Sequence, residues 1–503
     1  MSDVTISKLT YAQSESLGLG GTTTIFTKDI AALNHNGVGA TNAIVNIQLA
    51  GHGVWEIEAP KELRIGTAIK NDGNAYSLTK KGDGMLRCTL YESNSYTGKT
   101  VIAEGTMRLE GYNTQFKSNE IVVGDGVHTA MLDVAYASQN VLGVPQGAIV
   151  TVNTNALYKT YSPAAKSTFY PETYVINGGT LDFGGNTAIL SNSATTPWDK
   201  TMTMTGGEIM NGTVGLTSPS SVDYQMVTTH ASDQTATISA DLQFGGERMS
   251  FYIEDGSAPV DLEVSGRIRG NFGFTKAGPG TMAMSWPTGS DMYRVRKPII
   301  VSGGNLLLDG GALPSVGSNS VNVVAGGTLG GIGSVCSLDT TFINGHVTQE
   351  GASGNHAILA PGTVDRSAGE WLCGTLSVGT TAVSNNVTFI NYATLRSKLG
   401  RNGTSSRLAV KGAVNLASAL NQDKLDIIAP PVNVPSGEHV LVTFSNLLKG
   451  RFDAVTLNGG ALPDNYTLEY RNAANAVVAG TGDIVGGSIV LIVPPTETLI
   501  IIR

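Results

Sequence analysis

Apolar and polar residues alternate along much of the chain, in short runs that end at glycine. The segment Leu78–Gly111, LTKKGDGMLRCTLYESNSYTGKTVIAEGTMRLEG, contains several such runs. Alternation with a period of two is typical of a strand with one buried face. In its final run, Met107 and Leu109 are expected to point to one face, and Arg108 and Glu110 to the other. One such strand cannot bury its apolar face alone, so we expect it to belong to a stack.

The pattern returns in looser form later in the chain. Phe274–Gly311 begins, like Leu78–Gly111, with the motif [LF]-T-K-x-G-x-G and ends on a strand that glycine introduces. Gly82 and Gly105, in the first copy, lie 23 residues apart. A loose period in the twenties that carries strand-turn-strand units is typical of a solenoid. We therefore predict an all-β fold, namely a parallel β-helix. One coil is predicted to consist of a strand, a corner that contains Asn, Tyr and Gly, and a second strand.

Three regions differ in their patterning. Residues 1–75 are predicted to form a β-rich N-terminal cap, residues 76–420 the parallel β-helix, and residues 421–503 a C-terminal β module with a tail strand. A cap is expected because the end of a solenoid must hide its open edge. Two alternatives stay open for the β-branched tail TLIIIR: a closing edge strand of its own module, or a strand donated to a neighbouring molecule.

Some individual positions follow from the pattern. In the cap, AIVNIQLAGHGVWEIEAP alternates cleanly, and Ile47, Leu49, Val54 and Ile57 are predicted to be buried. Few stretches have helical periodicity, and Ala393–Leu399 is the kind of short segment that could form a helix.

Composition and charge narrow the class of protein. The 503 residues include 63 glycines, 41% are hydrophobic and only 14% are charged, which excludes a disordered chain. The net charge of −8 and the lack of a Lys/Arg cluster argue against nucleic-acid binding. Because no run of 18 apolar residues occurs, we predict no transmembrane segment. The start MSDVTISKLTYAQ lacks the features of a secretory signal peptide, so none is expected.

The three cysteines predict neither a disulfide scaffold nor a zinc site, because no two have CxxC spacing. Cys88 lies two residues from both Leu86 and Leu90, so its side chain is expected to point to the same buried face. We therefore expect it to be an inert core thiol. Whether Cys336 and Cys373 form a disulfide stays open.

Paired carboxylates are the strongest candidates for chemistry. Asp261 and Glu263 are predicted to share one strand face, and Arg267 and Arg269 another. An acidic pair near arginine would suit a polysaccharide lyase or hydrolase. The alternative is a solvated ladder of opposite charges across coils. We favour the ladder and assign no catalytic residue.

Metal and cofactor sites are not predicted. Asp72, Asp83 and Asp125 each lie beside a glycine, where calcium is conceivable, but no Gly-Gly-x-Gly-x-Asp repeat occurs. The glycine-rich segments that begin at Gly18 and Gly330 are expected to be β-corners rather than phosphate loops. None of the seven histidines has metal-ligand spacing, and they are His35, His52, His128, His230, His346, His356 and His439.

The segment Leu78–Gly111 resembles the autotransporter-associated β-strand repeat. In that repeat a Leu-Thr-Lys-x-Gly-x-Gly strand is followed by an Asn-x-Tyr-Thr-Gly corner and a Gly-Thr-Leu strand. Phe274–Gly311 matches in part, because GSDMYRVRKP replaces the corner. AGGTLGGIGSV and AILAPGTV also resemble passenger-domain coils. The resemblance implies a right-handed parallel β-helix exposed at a bacterial surface. The outer-membrane barrel of that family needs about eight or more antiparallel strands, and we expect none here.

Two classes of function remain. The first is an extracellular structural or interaction protein: an adhesin, a spacer, or a self-assembling fibre or layer subunit that binds itself or a cell-surface or glycan partner. The second is a carbohydrate-active β-helix, either a polysaccharide lyase or hydrolase or a protein like a phage tailspike. Sequestration of a soluble substrate is a third hypothesis. We favour the first, with no enzyme activity and no cofactor, because no convergent polar site is visible in the sequence.

Overall fold

A computed structural model describes most of the chain. The described residues are 5–6, 23–27, 30–31, 45–49, 51–60, 62–65, 69–71, 73–89, 95–110, 116–135, 148–161, 168–169, 173–191, 201–217, 224–245, 249–270, 273–285, 298–310, 312–313, 321–335, 341–344, 355–379, 384–417, 422–431 and 434–495. They contain strands and no helix, so the prediction of an all-β fold is confirmed.

The first 23 strands run from the N-terminus to Phe244. They are β1 Thr5–Ile6, β2 Thr23–Thr27, β3 Ile30–Ala31, β4 Val45–Leu49, β5 Gly53–Glu56, β6 Glu62–Ile65, β7 Ile69–Asn71, β8 Leu78–Lys81, β9 Met85–Thr89, β10 Thr100–Ile102, β11 Gly105–Glu110, β12 Glu120–Val123, β13 Ala130–Ala135, β14 Ile149–Asn153, β15 Ala156–Tyr161, β16 Thr168–Phe169, β17 Thr173–Asn177, β18 Thr180–Ser191, β19 Met202–Thr205, β20 Glu208–Thr217, β21 Tyr224–Thr229, β22 Ala236–Ile238 and β23 Asp241–Phe244.

The remaining strands run from Met249 to Val493. They are β24 Met249–Ile253, β25 Leu262–Val264, β26 Ile268–Gly270, β27 Phe274–Ala277, β28 Thr281–Met284, β29 Ile299–Val301, β30 Gly304–Leu308, β31 Ala312–Leu313, β32 Val321–Val323, β33 Gly327–Gly331, β34 Ser334–Val335, β35 Thr341–Asn344, β36 Ile358–Pro361, β37 Thr363–Val364, β38 Trp371–Leu372, β39 Thr375–Val378, β40 Val387–Ile390, β41 Thr394–Lys398, β42 Arg407–Val410, β43 Val414–Asn415, β44 Lys424–Ile428, β45 Gly437–Lys449, β46 Ala454–Leu457, β47 Gly460–Ala461, β48 Thr467–Asn472 and β49 Ile484–Val493.

The chain divides into two compact units. The first consists of Met1–Ser220, Met226–His230 and Ala236–Gly245, and the second of Ser221–Gln225, Ala231–Thr235 and Gly246–Arg503. In each unit, strands from successive coils pair in parallel and in register. The prediction of a parallel β-helix is therefore confirmed, while the boundaries at residues 75 and 420 and the right-handed sense stay predictions.

The first unit contains two long parallel sheets beside a four-stranded parallel sheet of β1, β2, β4 and β7. One runs β5, β8, β10, β12, β14, β17 and β19, and the other β6, β9, β11, β13, β15, β18 and β20. One inner row of the second sheet is almost completely buried: Leu63, Leu86, Met107, Leu132, Tyr158, Leu181 and Ile209. Each such side chain contributes about 1.5–3 kcal/mol through burial.

The segment Leu78–Gly111 holds parts of two coils rather than one. β8 pairs with β10, and β9 pairs with β11, so the segment stacks on itself. The Lys-Gly corner joins β8 to β9 within a coil, and the corner at Tyr96 leads to the next coil. Tyr96 is fully buried, and its hydroxyl lies 2.8 Å from Thr100 Oγ1. Met107 and Leu109 point inward, as predicted.

From Ile299 onward the second unit has three parallel walls. They are β29, β32, β35, β40 and β43; then β30, β33, β36, β41 and β44; and lastly β31, β34, β39 and β42. One inner row is completely buried: Met282, Leu306, Leu329, Leu359, Leu395 and Leu425.

Antiparallel strands end the parallel stack. β45 pairs in parallel with β42 and β43 on one side, and antiparallel with β49 on the other. β49 then pairs antiparallel with β48, and β46 with β47. The closing strand of the described chain is thus Ile484–Val493. The tail at residues 496–503, for which two alternatives were open, lies outside the described residues.

Two positional predictions are wrong. Val54 is 38% exposed, and its neighbour Trp55 is buried instead. In this run the alternate residues Gly53, Trp55 and Ile57 are the ones that point inward. The segment Ala393–Leu399 is not helical, since its residues 394–398 form β41. Parallel pairing with β36 and β44 on both sides overrides the weak local preference. Leu49 is buried as predicted, and nothing is described of the side chain of Ile47.

Candidate functional site

The motif Thr-Lys-x-Gly-x-Gly places a buried lysine at one corner of each unit. Lys80 lies in an inner row, next to Ile102 of the following coil, and its side chain is completely buried. Its ammonium donates to Glu104 O at 2.8 Å and to Gly82 O. The lysine therefore links the corners of two successive coils.

The second copy of the motif has a fuller set of bonds. Lys276 is also completely buried. Its Nζ donates to the carbonyl oxygens of Gly278, Gly280 and Gly303, at 2.8, 2.5 and 2.8 Å. An ammonium group has three donors, and three carbonyls match them. Gly303 belongs to the next coil, so this lysine too fastens one coil to another.

The glycines of the motif are needed by the backbone. Gly82 and Gly278 have φ of 75° and 78°, in the left-handed region that favours glycine. A Cβ at Gly105 would collide with the ammonium of Lys80 and with Gly82 O. The motif is therefore a structural corner in which lysine replaces water as the partner of inward carbonyls.

Burial changes the proton affinity of both lysines. It lowers the pKa of Lys80 to about 8, against the opposing effect of Glu104 and Asp83. It lowers the pKa of Lys276 to about 7, with Asp261 and Asp255 opposing. A lysine with a pKa this low can act as a base or a nucleophile in an open site. Here both ammonium groups lie inside the coil, engaged with backbone carbonyls.

Asp261, half of the predicted acidic pair, has a structural role. Its side chain is buried; Oδ1 accepts from Gly256 N and Oδ2 from Thr281 N, both at 2.7 Å. Burial raises the pKa of Asp261, while the two amide hydrogen bonds oppose that rise. Both carboxylate oxygens are thus used to hold a corner.

Glu263, the other half, lies on the outer face of β25. Its Oε1 accepts from Ser285 Oγ at 3.0 Å, and its Oε2 is 3.9 Å from Arg366 Nε. The structure therefore separates the two carboxylates into a buried corner and an outer face, and does not bring them together as an acid pair. Arg267 and Arg269 flank buried Ile268 on the outward side of the chain.

A short hairpin covers part of the outer face of the second unit. β37 and β38 pair antiparallel and fold back over the row Ala283, Leu307, Gly330 and Ala360. Trp371 packs against the cluster that contains Val260, Ala283, Leu307 and Val364. A Cβ at Gly330 would lie 2.8 Å from Trp371 Cη2, so glycine there makes room for the indole ring. Gly330 itself thus lies within β33, and the predicted corner follows at Ile332 and Gly333, between β33 and β34.

Polar contacts fasten this hairpin at both ends. Arg366 Nη2 lies 2.6 Å from Asp309 Oδ2, and Trp371 Nε1 donates to Pro361 O at 3.2 Å. Lys398 Nζ donates to Trp371 O. Sequence patterning misses this feature, although three of the four residues in the covered row are small: Ala283, Gly330 and Ala360.

Charged residues on the outer face of the first unit form ion pairs across coils. Arg87 lies 2.6 Å from Glu110 and 3.4 Å from Glu62, and Arg108 lies 3.4 Å from Asp133. These side chains are partly exposed, and each pair contributes at most about 1 kcal/mol. The arrangement is the ladder of opposite charges expected between stacked strands.

Of the three candidate calcium positions, Asp125 has other partners in the structure. Asp125 accepts from Val127 N and His128 N and lies 2.7 Å from His128 Nδ1, which together hold its pKa far below the ordinary value. Asp83 is exposed at its corner, and Asp72 lies outside the described residues. Within the described ranges, no three His, Cys, Asp or Glu side chains are grouped as a metal site would need.

The cysteines can be placed in part. Cys88 is completely buried, as predicted, and burial raises its pKa to about 12. Cys373 has a free thiol that donates to Lys398 O at 3.4 Å. The disulfide between Cys336 and Cys373 that the sequence left open is not formed, because the thiol of Cys373 is free; Cys336 itself lies outside the described residues.

The described part of the chain contains no helix with the length and hydropathy that a membrane crossing requires. No protein-family model matches the chain, and no curated protein matches it either.

Proposed function

We propose that this chain is an extracellular structural or interaction protein, a β-helical scaffold of the passenger type that displays its outer faces to a partner. One observation carries the proposal: the charged and buried polar side chains described above join one coil to the next. Corners of the backbone are held by Lys80, Lys276 and Asp261. Ion pairs between strands of successive coils are formed by Arg87 and Arg108. Such an arrangement supports a scaffold rather than a catalytic groove.

The surface location is part of the proposal and has its own support. The repeat at Leu78–Gly111 resembles those of secreted passenger domains, and this resemblance is what supports the location. Immunogold labelling of intact cells that express the full-length gene tests the location. Labelling of intact cells is the expected result, and labelling only after permeabilisation would contradict it.

Whether the scaffold acts as a fibre subunit, a spacer or an adhesin is a finer proposal. Electron microscopy of the purified chain over a concentration series at neutral pH separates these roles. Ordered filaments or sheets that appear with rising concentration would assign the role of a fibre or layer subunit. Single particles at every concentration would leave the spacer and the adhesin.

A further inference from the structure

Tyr392 has a backbone conformation that tyrosine rarely adopts. Six non-glycine residues of the described chain have positive φ: Asn155, Asn211, Asn391, Tyr392, Asn458 and Asn475. Asparagine tolerates this region, because its short polar side chain can bond locally. Tyr392, with φ of 61°, is the exception among them.

The same unit contains a relaxed version of this turn. Asn458 and Gly459 have φ of 50° and 79°, and Asn391 and Tyr392 have φ of 47° and 61°. Two successive positive φ angles define a type I′ turn, for which Asn-Gly is the preferred pair. Tyr392 thus occupies the position where glycine is preferred.

A second unfavourable feature accompanies this turn. Asn391 Oδ1 is buried and has no hydrogen-bond partner among the described residues. Backbone strain and unpaired polar atoms persist where the surrounding structure enforces them, and they cluster at functional sites. The turn therefore has a cost that a plain connection between β40 and β41 would not need.

The strained turn presents an aromatic ring to solvent. The side chain of Tyr392 is 40% exposed, and it meets His356 edge to face, with ring centroids 6.0 Å apart and planes at 69°. His356 Nδ1 lies 2.5 Å from Tyr392 O. Since a carbonyl only accepts, Nδ1 carries a proton, and Nε2 is the ring nitrogen that can accept when the ring holds one proton.

The surface beside this pair is open at Gly326. Gly326 N donates to His356 O at 3.2 Å, and Gly326 is exposed, with φ of 87°. Within 4 Å of a Cβ built there lies only Ser302 O, at 3.8 Å. The strands β33, β36 and β41 are neighbours and lie about 4.8 Å apart. Gly326 directly precedes β33, while His356 lies two residues before β36 and Tyr392 two residues before β41.

We propose that Gly326, His356 and Tyr392 form a platform that binds a neutral glycan chain. The tyrosine ring offers an apolar face to the C–H groups of a pyranose ring, and His356 Nε2 accepts from a hydroxyl. Successive coils provide contacts at regular spacing along an extended chain. The net charge of −8 disfavours acidic polysaccharides. This inference rests on the proposed role as an interaction protein and names the class of its partner.

Calorimetric titration with soluble oligosaccharides tests the platform. Cellohexaose and chitohexaose serve as neutral probes, and oligogalacturonate as the acidic probe. Tyr392→Gly should weaken binding of a neutral probe by about tenfold or more. Its melting temperature should not fall, because glycine suits the turn better. Tyr392→Asn provides a second variant, since it retains a residue that tolerates positive φ but removes the ring.

Tyr252→Ala is the matched control. Tyr252 is a similarly exposed tyrosine of the same unit, 38% exposed, in β24 with ordinary strand backbone. It should bind the neutral probe like the wild type. The proposal would be overturned if the wild type bound no neutral probe, or if both Tyr392 variants bound a neutral probe as tightly as the wild type. It would also be overturned if the wild type bound oligogalacturonate more tightly than the neutral probes. Cleavage of a bound probe would instead refute the non-enzymatic role and leave the platform assignment standing.

Discussion

Lys276 and Asp261 bind opposite ends of one peptide bond. Lys276 Nζ donates to Gly280 O at 2.5 Å, and Asp261 Oδ2 accepts from Thr281 N at 2.7 Å. A cation on the carbonyl and an anion on the amide both reinforce the polarity of that peptide group. Two side chains with the chemistry of an active site thus hold a corner of the backbone.

Removing the ammonium group should leave the corner carbonyls unpaired. We expect Lys276→Met to lower the free energy of unfolding by about 2–4 kcal/mol, because buried acceptors without donors cost about 1–3 kcal/mol each and burying the charge offsets part of this. Denaturant unfolding measures the change. Lys159→Met, on the outer side of β15, is the control and should change stability by less than about 0.5 kcal/mol. Equal effects of the two variants would contradict a structural role for Lys276.

The lysine corners should make stability rise with pH. Below its ordinary pKa of 10.5 a lysine is charged in the unfolded chain, whereas folded Lys276 loses its proton above about pH 7, and Lys80 above about pH 8. Between its pKa in the folded protein and the ordinary pKa of 10.5, each lysine binds more protons in the unfolded chain than in the folded one. In that pH range each lysine therefore raises the free energy of unfolding by up to about 1.4 kcal/mol per pH unit.

Unfolding free energies measured from pH 7 to pH 9.5 test this dependence. The double variant Lys80→Met, Lys276→Met should lose the increase with pH. If the wild type shows no such increase, both ammonium groups remain charged in the folded protein, and the lowered pKa values are wrong.

Removing the charge of Asp261 should destabilise the protein, whereas removing the charge of Glu263 should not. In Asp261→Asn, one amide hydrogen of the new side chain would face a backbone N–H donor, so we expect a loss of about 1–3 kcal/mol. Glu263→Gln keeps an acceptor for Ser285 on a partly exposed face and should be nearly neutral. Thermal unfolding of the two variants gives the comparison. A larger loss in Glu263→Gln would reverse the assigned roles.

The hairpin of β37 and β38 should depend on Trp371. Trp371→Ala removes the ring that covers the outer face at Gly330, and the loss should be about 1–3 kcal/mol because the ring is only partly buried. Hydrogen exchange should rise at residues 361–373 while strands β33 and β36 stay protected. Uniformly faster exchange in all three segments would show that the hairpin is not a local addition.

Thiol labelling should distinguish the two described cysteines. In a Cys336→Ser background at pH 8, Cys373 should react with an aromatic disulfide reagent in the native protein. Cys88 should react only on unfolding, because burial raises its pKa to about 12 and blocks access. Rapid labelling of both thiols in the native state would contradict the burial of Cys88.

The alternation of residues such as Met107 and Leu109 was enough to predict the stacked strands, because a period of two fixes which face is buried. The sequence could not show that Lys80 lies inside, since lysine at an inward position contradicts the usual pattern. A repeated Thr-Lys-x-Gly-x-Gly motif was its only signal. The prediction failed at Val54 because it is followed by a second apolar residue, Trp55, and two adjacent apolar residues do not show which of them points inward.

The outer hairpin and the strained turn were beyond prediction for a different reason. Trp371 and Gly330 are far apart in sequence, and only the coil register brings them together. Tyr392 has no local signal of its positive φ, since the preferred glycine is absent. Features that depend on register between coils or on strain cannot be read from alternation alone.

The most direct test of the central claim is the release of soluble products from polysaccharides. The wild-type protein is incubated with pectate, xylan, cellulose and peptidoglycan, and reducing ends and unsaturated sugars are measured over time. We expect no release above that of a heat-denatured sample, because the polar side chains join coils instead of forming a catalytic groove. Sustained release from any one polymer, abolished by Asp261→Asn or Glu263→Gln in a folded protein, would contradict it.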